Sequence, residues 1–175
     1  MIRTLLFIIA SLVFSHTAYS KECVILLHGL AKTNHSMDKI SQNLQGEGYI
    51  TVNYDYPSRE QSIKSLAQTH IANALKQCPS NAKVNFVTHS MGGILVRQYL
   101  HENSIDRLGK VIMLGPPNKG SEVVDKLHKL PGYAKFGGPA SLELGTDSKS
   151  IQAQLGPANF DLGIIAGSRS INLIL

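Results

Sequence analysis

The stretch Val84-Asn85-Phe86-Val87-Thr88-His89-Ser90-Met91-Gly92-Gly93 constrains this chain more than any other. Val84, Phe86 and Val87 are strand formers. Gly92 and Gly93 open an apolar helical pattern that takes in Ile94, Leu95, Val96, Tyr99 and Leu100. Ser90 falls where one element gives way to the other, with no linker between them. A strand that turns this sharply into a helix brings the two backbones close together. Such a junction needs small residues around it. It lifts the serine hydroxyl off the end of a sheet.

The remaining chain alternates strands and helices around that unit. Cys23-Val24-Ile25-Leu26-Leu27 is a continuous apolar run, as in a strand buried on both faces. It leads into His28-Gly29-Leu30. A helix is expected over roughly 36–47, with Met37, Ile40 and Leu44 on one face, stopped by Gly48. Tyr49–Tyr54 reads as a second strand, broken by Pro57. Ser58-Arg59-Glu60-Gln61 fits a capping box. The helix it opens is expected to run to about Cys78, with Ile63, Leu66, Ala67, Ile71, Ala74 and Leu75 at helical spacing. A fourth strand covers 109–115, and Ser121 caps a short helix to about His128. Residues 129–160 hold Pro131, Pro139 and Pro157. They read as an irregular, cap- or lid-like insertion with one helix near 148–155. A fifth strand follows at 162–167.

This order predicts an α/β protein: a three-layer α/β/α sandwich on a mainly parallel sheet of about five strands, in the order 2-1-3-4-5. The crevice then lies between strands 1 and 3. There Ser90 meets the turn His28-Gly29-Leu30, although the two are far apart in sequence.

Met1–Ser20 reads as a secretory signal peptide, with Arg3, an apolar run from Leu5 to Phe14 and a small-x-small end at Ala18-Tyr19-Ser20. The domain then covers 21–175, and the protein is expected to be exported, periplasmic or extracellular. No stable membrane span is expected after signal cleavage, because the run is short. Cys23 and Cys78 are the two cysteines. They are either a disulfide or two buried thiols. Net charge is +5, and the basic residues are scattered, which argues against a nucleic-acid partner. The histidines and acids lack ligand spacing, so no metal is expected, and no cofactor loop is present.

Thr88-His89-Ser90-Met91-Gly92-Gly93 resembles the nucleophile elbow of bacterial lipases and esterases of the α/β-hydrolase family, with Thr88 in place of the usual first glycine. Val24–Leu30, Asn53–Ser58 and Leu114–Ser121 extend the resemblance over most of the chain. It implies an exported serine hydrolase cleaving a carboxylic ester, with a lipid or acyl ester favoured by the lid-like segment and apolar loops. Ser90 is the implied nucleophile. The backbone N–H groups of Leu30 and Met91 are the implied oxyanion donors. His28, Gly29, His89, Gly92 and Pro116 shape the turn and pocket. The family's acid and base follow the nucleophile in the chain, the acid beyond the strand ending near Gly167 and the base beyond one more strand. Both are therefore expected past Leu175, in a fold lacking its last strand and helix. His101 and His128, with Asp125, Asp147 and Asp161, are the alternatives within the sequence. A non-catalytic hydrolase-fold binding protein or an inactive truncated product is the competing reading. A thioesterase or amidase would share the same machinery.

Overall fold

The structure is a computed structural model that describes residues 22–148 and 150–167. The expected signal peptide, residues 1–20, lies outside them. Five parallel strands form one sheet in the order β2-β1-β3-β4-β5: β1 (Cys23–Leu27), β2 (Ile50–Tyr54), β3 (Val84–His89), β4 (Leu108–Leu114) and β5 (Leu162–Ile165).

Every residue of β1 is buried. Its side chains alternate between two cores. Cys23, Ile25 and Leu27 join Phe86, Ile94, Leu95, Val111 and Met113. Val24 and Leu26 pack with Met37, against Ile40 and Leu44. The first core is closed by α4 (Met91–Glu102) together with α2 (Ile63–Leu66) and α3 (Ala72–Leu75), which are joined by one π-helical turn at Ala67–Ile71. The second is closed by α1 (Asp38–Gly46), entered through a 3₁₀ turn at Asn34–Met37. This double cover explains why β1 reads as an unbroken apolar run rather than an alternating one.

The chain closes a disulfide between Cys23, at the start of β1, and Cys78, just past α3. Both cysteines are buried.

Three local expectations are corrected. Ser58 does not cap a helix. The cap of α2 is Ser62, whose side chain accepts from Ser65 N–H, while Ser58 is buried with its hydroxyl turned toward the loop after β1. The helix ends at Leu75, with Cys78 beyond it. Residues 129–160 are more regular than their prolines suggest. After α5 (Glu122–His128), capped by Ser121, comes α6 (Tyr133–Leu142), and α7 (Ile151–Gln154) follows. Gly138 kinks α6 at φ +75° and Pro139 restarts it. That is the first-turn position where a proline has no N–H to lose.

Glu143, just after α6, ties this segment to α2 by accepting the Ile63 N–H at 2.8 Å. Burial holds its carboxyl above the usual range, and the Ile63 hydrogen bond only partly opposes this. A raised carboxyl favours the folded state while protonated. That contribution is full below the ordinary pKa and lost as pH rises through the raised one. Glu143→Gln keeps an acceptor without the charge. It is expected to stabilise the protein at neutral pH, a gain that vanishes as pH falls into the ordinary carboxyl range. Urea unfolding at several pH values measures it.

Helix α4 lies so close to β1 that a Cβ on Gly92 would sit 2.8 Å from the carbonyl oxygens of both Leu27 and His28. Backbone cannot yield as a side-chain end can. Gly92→Ala is therefore expected to cost about 1–3 kcal/mol, read as a lower urea midpoint.

Candidate active site

β1 and β3 are neighbours in exact parallel register, with Leu27 opposite Thr88. The residues that follow, His28-Gly29 after β1 and His89-Ser90 at the end of β3, therefore run side by side. Ser90 has φ 51° and ψ −119°, one of two non-glycine residues with positive φ among the described residues. Such backbone costs about 1–3 kcal/mol and persists only where its surroundings fix it. Here the Ser90 N–H donates to Leu114 C=O at 2.9 Å, and the Ser90 C=O accepts from Gly93 N–H at 3.1 Å. Sheet and helix thus hold the residue from both sides. Its side chain remains partly exposed.

Met91 is the first residue of α4, so its N–H has no acceptor within the helix. Opposite it stands the turn after β1. A Cβ on Gly29 would lie 3.2 Å from Ser90 Cβ and 2.9 Å from His89 Nδ1, so only glycine lets the turn approach this closely. Leu30 follows, partly buried against the main core. Ala31 is the second positive-φ residue, at 55°.

His28 is fully buried and stacked on Tyr56, with ring centroids 4.1 Å apart and planes 12° from parallel. Its Nδ1 is 2.9 Å from Gly29 C=O. Its Nε2 faces the Tyr56 N–H at 3.4 Å and the Asp55 carboxylate at 3.1 Å. The Tyr56 hydroxyl donates to His28 C=O at 2.5 Å. Burial, reinforced by the Asp55 charge, pushes the Tyr56 phenol far up, so it stays a donor. Ser58 Oγ accepts the Ala31 N–H at 3.0 Å, and Asp55 Oδ1 accepts the Asn34 N–H at 3.0 Å. Sequence reasoning gives Asp55 and Tyr56 no individual role within the block Asn53–Ser58 and reads Ser58 as a helix cap, so it misses their part in this site. The signal was present: a polar run at the end of β2, stopped by Pro57, must emerge beside the end of β1 once the two strands pair.

A cleft of about 690 Å³ opens next to these contacts, between Ala31–Thr33 and Asp55–Glu60. Lys32, Asp55, Arg59 and Glu60 give it both signs of charge. The His89 ring loses hydration and lies near the charges of Lys32 and His28, and its pKa is lowered.

Hydrogen bonds tie His128 and Asp125 to other partners. His101 lines a cavity of about 150 Å³ beside Arg97 on α4. His128 Nε2 lies 3.2 Å from Ser141 C=O, with its ring against Tyr133. Asp125 accepts from Thr146 Oγ1 at 2.6 Å, the main cause of its lowered pKa. Asp161 takes part through its backbone, accepting the Val111 N–H. Pro116 lies in the half-buried loop after β4, where its C=O accepts the Asn118 N–H. Asn118 in turn accepts from Arg97, a buried guanidinium that also bonds Gly156 C=O. Among the described residues no hydrogen bond joins the Ser90 hydroxyl to a histidine. No group of three potential metal ligands is present among them, and none of the described helices is long and apolar enough to cross a membrane.

The sequence profile of the alpha/beta hydrolase fold matches residues 22–138. No curated protein matches the chain in sequence. Among solved structures, the mature lipase BlEst2 of Bacillus licheniformis superposes with a TM-score of 0.65 at 22% identity, over 81% of this chain and 62% of that one. The phospholipase PlaB of Legionella pneumophila, in complex with thio-NAD, gives 0.66 at 20% identity, over 85% and 38%. A metagenomic carboxyl esterase gives 0.67 at 19%, over 79% and 46%. The chain thus spans less than two thirds of the length of each.

Proposed function

The chain belongs to the α/β-hydrolase family, and we propose that it is a serine hydrolase that cleaves a carboxylic ester through an acyl-enzyme on Ser90. The observation that carries this reading is the Ser90 backbone, held at φ 51° between strand and helix with Gly29 packed against its Cβ. Ser90 Oγ attacks the carbonyl carbon as a general base takes its proton. The carbonyl oxygen becomes an oxyanion and is received by the N–H groups of Leu30 and Met91. The base returns the proton to the departing alcohol, and water then releases the acid from the serine by the same steps. Each oxyanion donor is worth roughly 3–4 kcal/mol at the transition state.

The acid and base come, in this proposal, from sequence beyond Leu175. The greater length of the lipase, phospholipase and esterase of the same fold supports this. Their names also support an ester as substrate. A lipid or acyl ester is favoured by the segment 129–160, proposed as a cap, which presents Leu130 and Leu142 to solvent. Export follows the N-terminal signal pattern and is supported by the Cys23–Cys78 bond, which suits an oxidising compartment.

A fluorophosphonate probe tests the nucleophile directly. The expected result is one adduct, mapped by peptide mass spectrometry to Ser90 and absent from Ser90→Ala. A folded protein that takes no label moves the reading to a non-catalytic binding protein on the same fold.

A further inference from the structure

We infer that Ser58 and Tyr56 are positioning residues that clamp the turn after β1, so that the Leu30 N–H stays aimed at the oxyanion; the inference rests on the acyl-enzyme reading. Leu30 is suspended between two anchors. Before it, His28 C=O receives the Tyr56 hydroxyl at 2.5 Å. After it, the Ala31 N–H is received by Ser58 Oγ at 3.0 Å. Between the anchors runs a glycine packed on Ser90, followed by an alanine at φ 55°. Both anchors bond the backbone of the turn, and together they leave little freedom to the Gly29–Leu30 peptide.

The turn has few other ways to hold its shape. Gly29 is conformationally permissive, and left-handed backbone at Ala31 relaxes unless its neighbours over-determine it. Within the turn itself, Gly29 C=O faces His28 Nδ1 at 2.9 Å and receives the Lys32 N–H at 3.3 Å, and the His28 ring is in turn seated by Tyr56. The clamp is itself well founded. Ser58 is 6% exposed and Tyr56 4%. Pro57 between them fixes its own φ. Tyr56 is further seated by its stacking on His28. Both anchors lie in the loop that follows β2, which pairs with β1 in register, Leu27 opposite Tyr54. The clamp thus enters on one side of the turn as Ser90 enters on the other.

The chemistry predicts a specific pattern. An oxyanion donor acts mainly in the transition state, so loosening it lowers kcat and leaves KM nearly unchanged. Ser58→Ala in the full chain is expected to lower kcat for a p-nitrophenyl ester by roughly 10- to 100-fold, with KM within about twofold. Ser58→Thr, which keeps the acceptor, is expected to restore most of the rate. Tyr56→Phe is expected to act in the same direction, and the double variant to lose less than the product of the two, because both anchors serve one turn. Amide hydrogen exchange of the peptide spanning Leu30 and Ala31 is expected to quicken in each variant, while that of β3 stays unchanged.

Ser58→Ala and Tyr56→Phe variants that keep the wild-type kcat overturn the clamp. So does a loss of rate that only follows a loss of folded protein and is not rescued by Ser58→Thr. If Ser58→Ala fails to fold, Tyr56→Phe alone decides, by the same split between kcat and KM. Hydrolysis that survives Ser90→Ala overturns the acyl-enzyme reading instead, so the two failures are distinct.

Discussion

Ser90→Ala is expected to lower ester hydrolysis by roughly five to six orders of magnitude. The substitution removes one atom that the fold does not use. The hydrogen bonds that hold residue 90 run from its backbone, N–H to Leu114 C=O and C=O from Gly93 N–H. Alanine adopts φ 51° at much the same cost as serine. Stability is therefore expected to change by no more than about 0.5 kcal/mol. A variant with an unchanged urea midpoint and no turnover assigns the whole loss to the hydroxyl. A variant that keeps even a hundredth of the rate rules Ser90 out as the nucleophile.

The second large effect concerns the bond between Cys23 and Cys78. It closes a loop with a sequence separation of 55, for which the chain-entropy account gives about 4 kcal/mol. Much of the first half of the sheet lies inside that loop: β1, α1, β2 and the whole α2–α3 helix. Replacing both cysteines by alanine is expected to lower the unfolding free energy by about that amount and the melting temperature by about 10 °C. Reductant added to the wild-type protein is expected to reproduce most of the shift. A urea midpoint indifferent to both treatments shows that the bond adds nothing the core does not already supply.

The strands and their order were legible in the sequence because their signals are strong and local. An unbroken apolar run such as Cys23–Leu27 has few other uses, and a strand that meets a Gly-Gly helix at a serine has fewer still. Strand pairing then followed from right-handed crossovers. Ser58 shows where such reading stops. Ser58 and Ser62 both precede helical sequence, and both carry an oxygen that can cap it. Which oxygen serves α2 and which serves Ala31 depends on β2 lying beside β1, a fact of tertiary structure absent from any short window. The same limit hid α6. Gly137-Gly138-Pro139 reads as a break, whereas in the fold it makes a kink, with the proline placed where a helix tolerates it. The π turn at Ala67–Ile71 adds a residue that an even helical spacing does not reveal.

The parallel register of β1 and β3 governs how this site can change. Gly29 and Ser90 are brought together by the ladder that pairs Leu27 with Thr88, and not by the length of the chain between the two strands. Residues can be added to or lost from the far ends of α1 or α3 without moving the serine relative to its turn, so in that respect the architecture forgives changes in length. It does not forgive slippage. A shift of one residue between the two strands turns Ser90 away from Gly29 and sends Phe86 to the other face of the sheet. Variation in the length of this protein is therefore to be sought in its connections, while its strands are held to an invariant count.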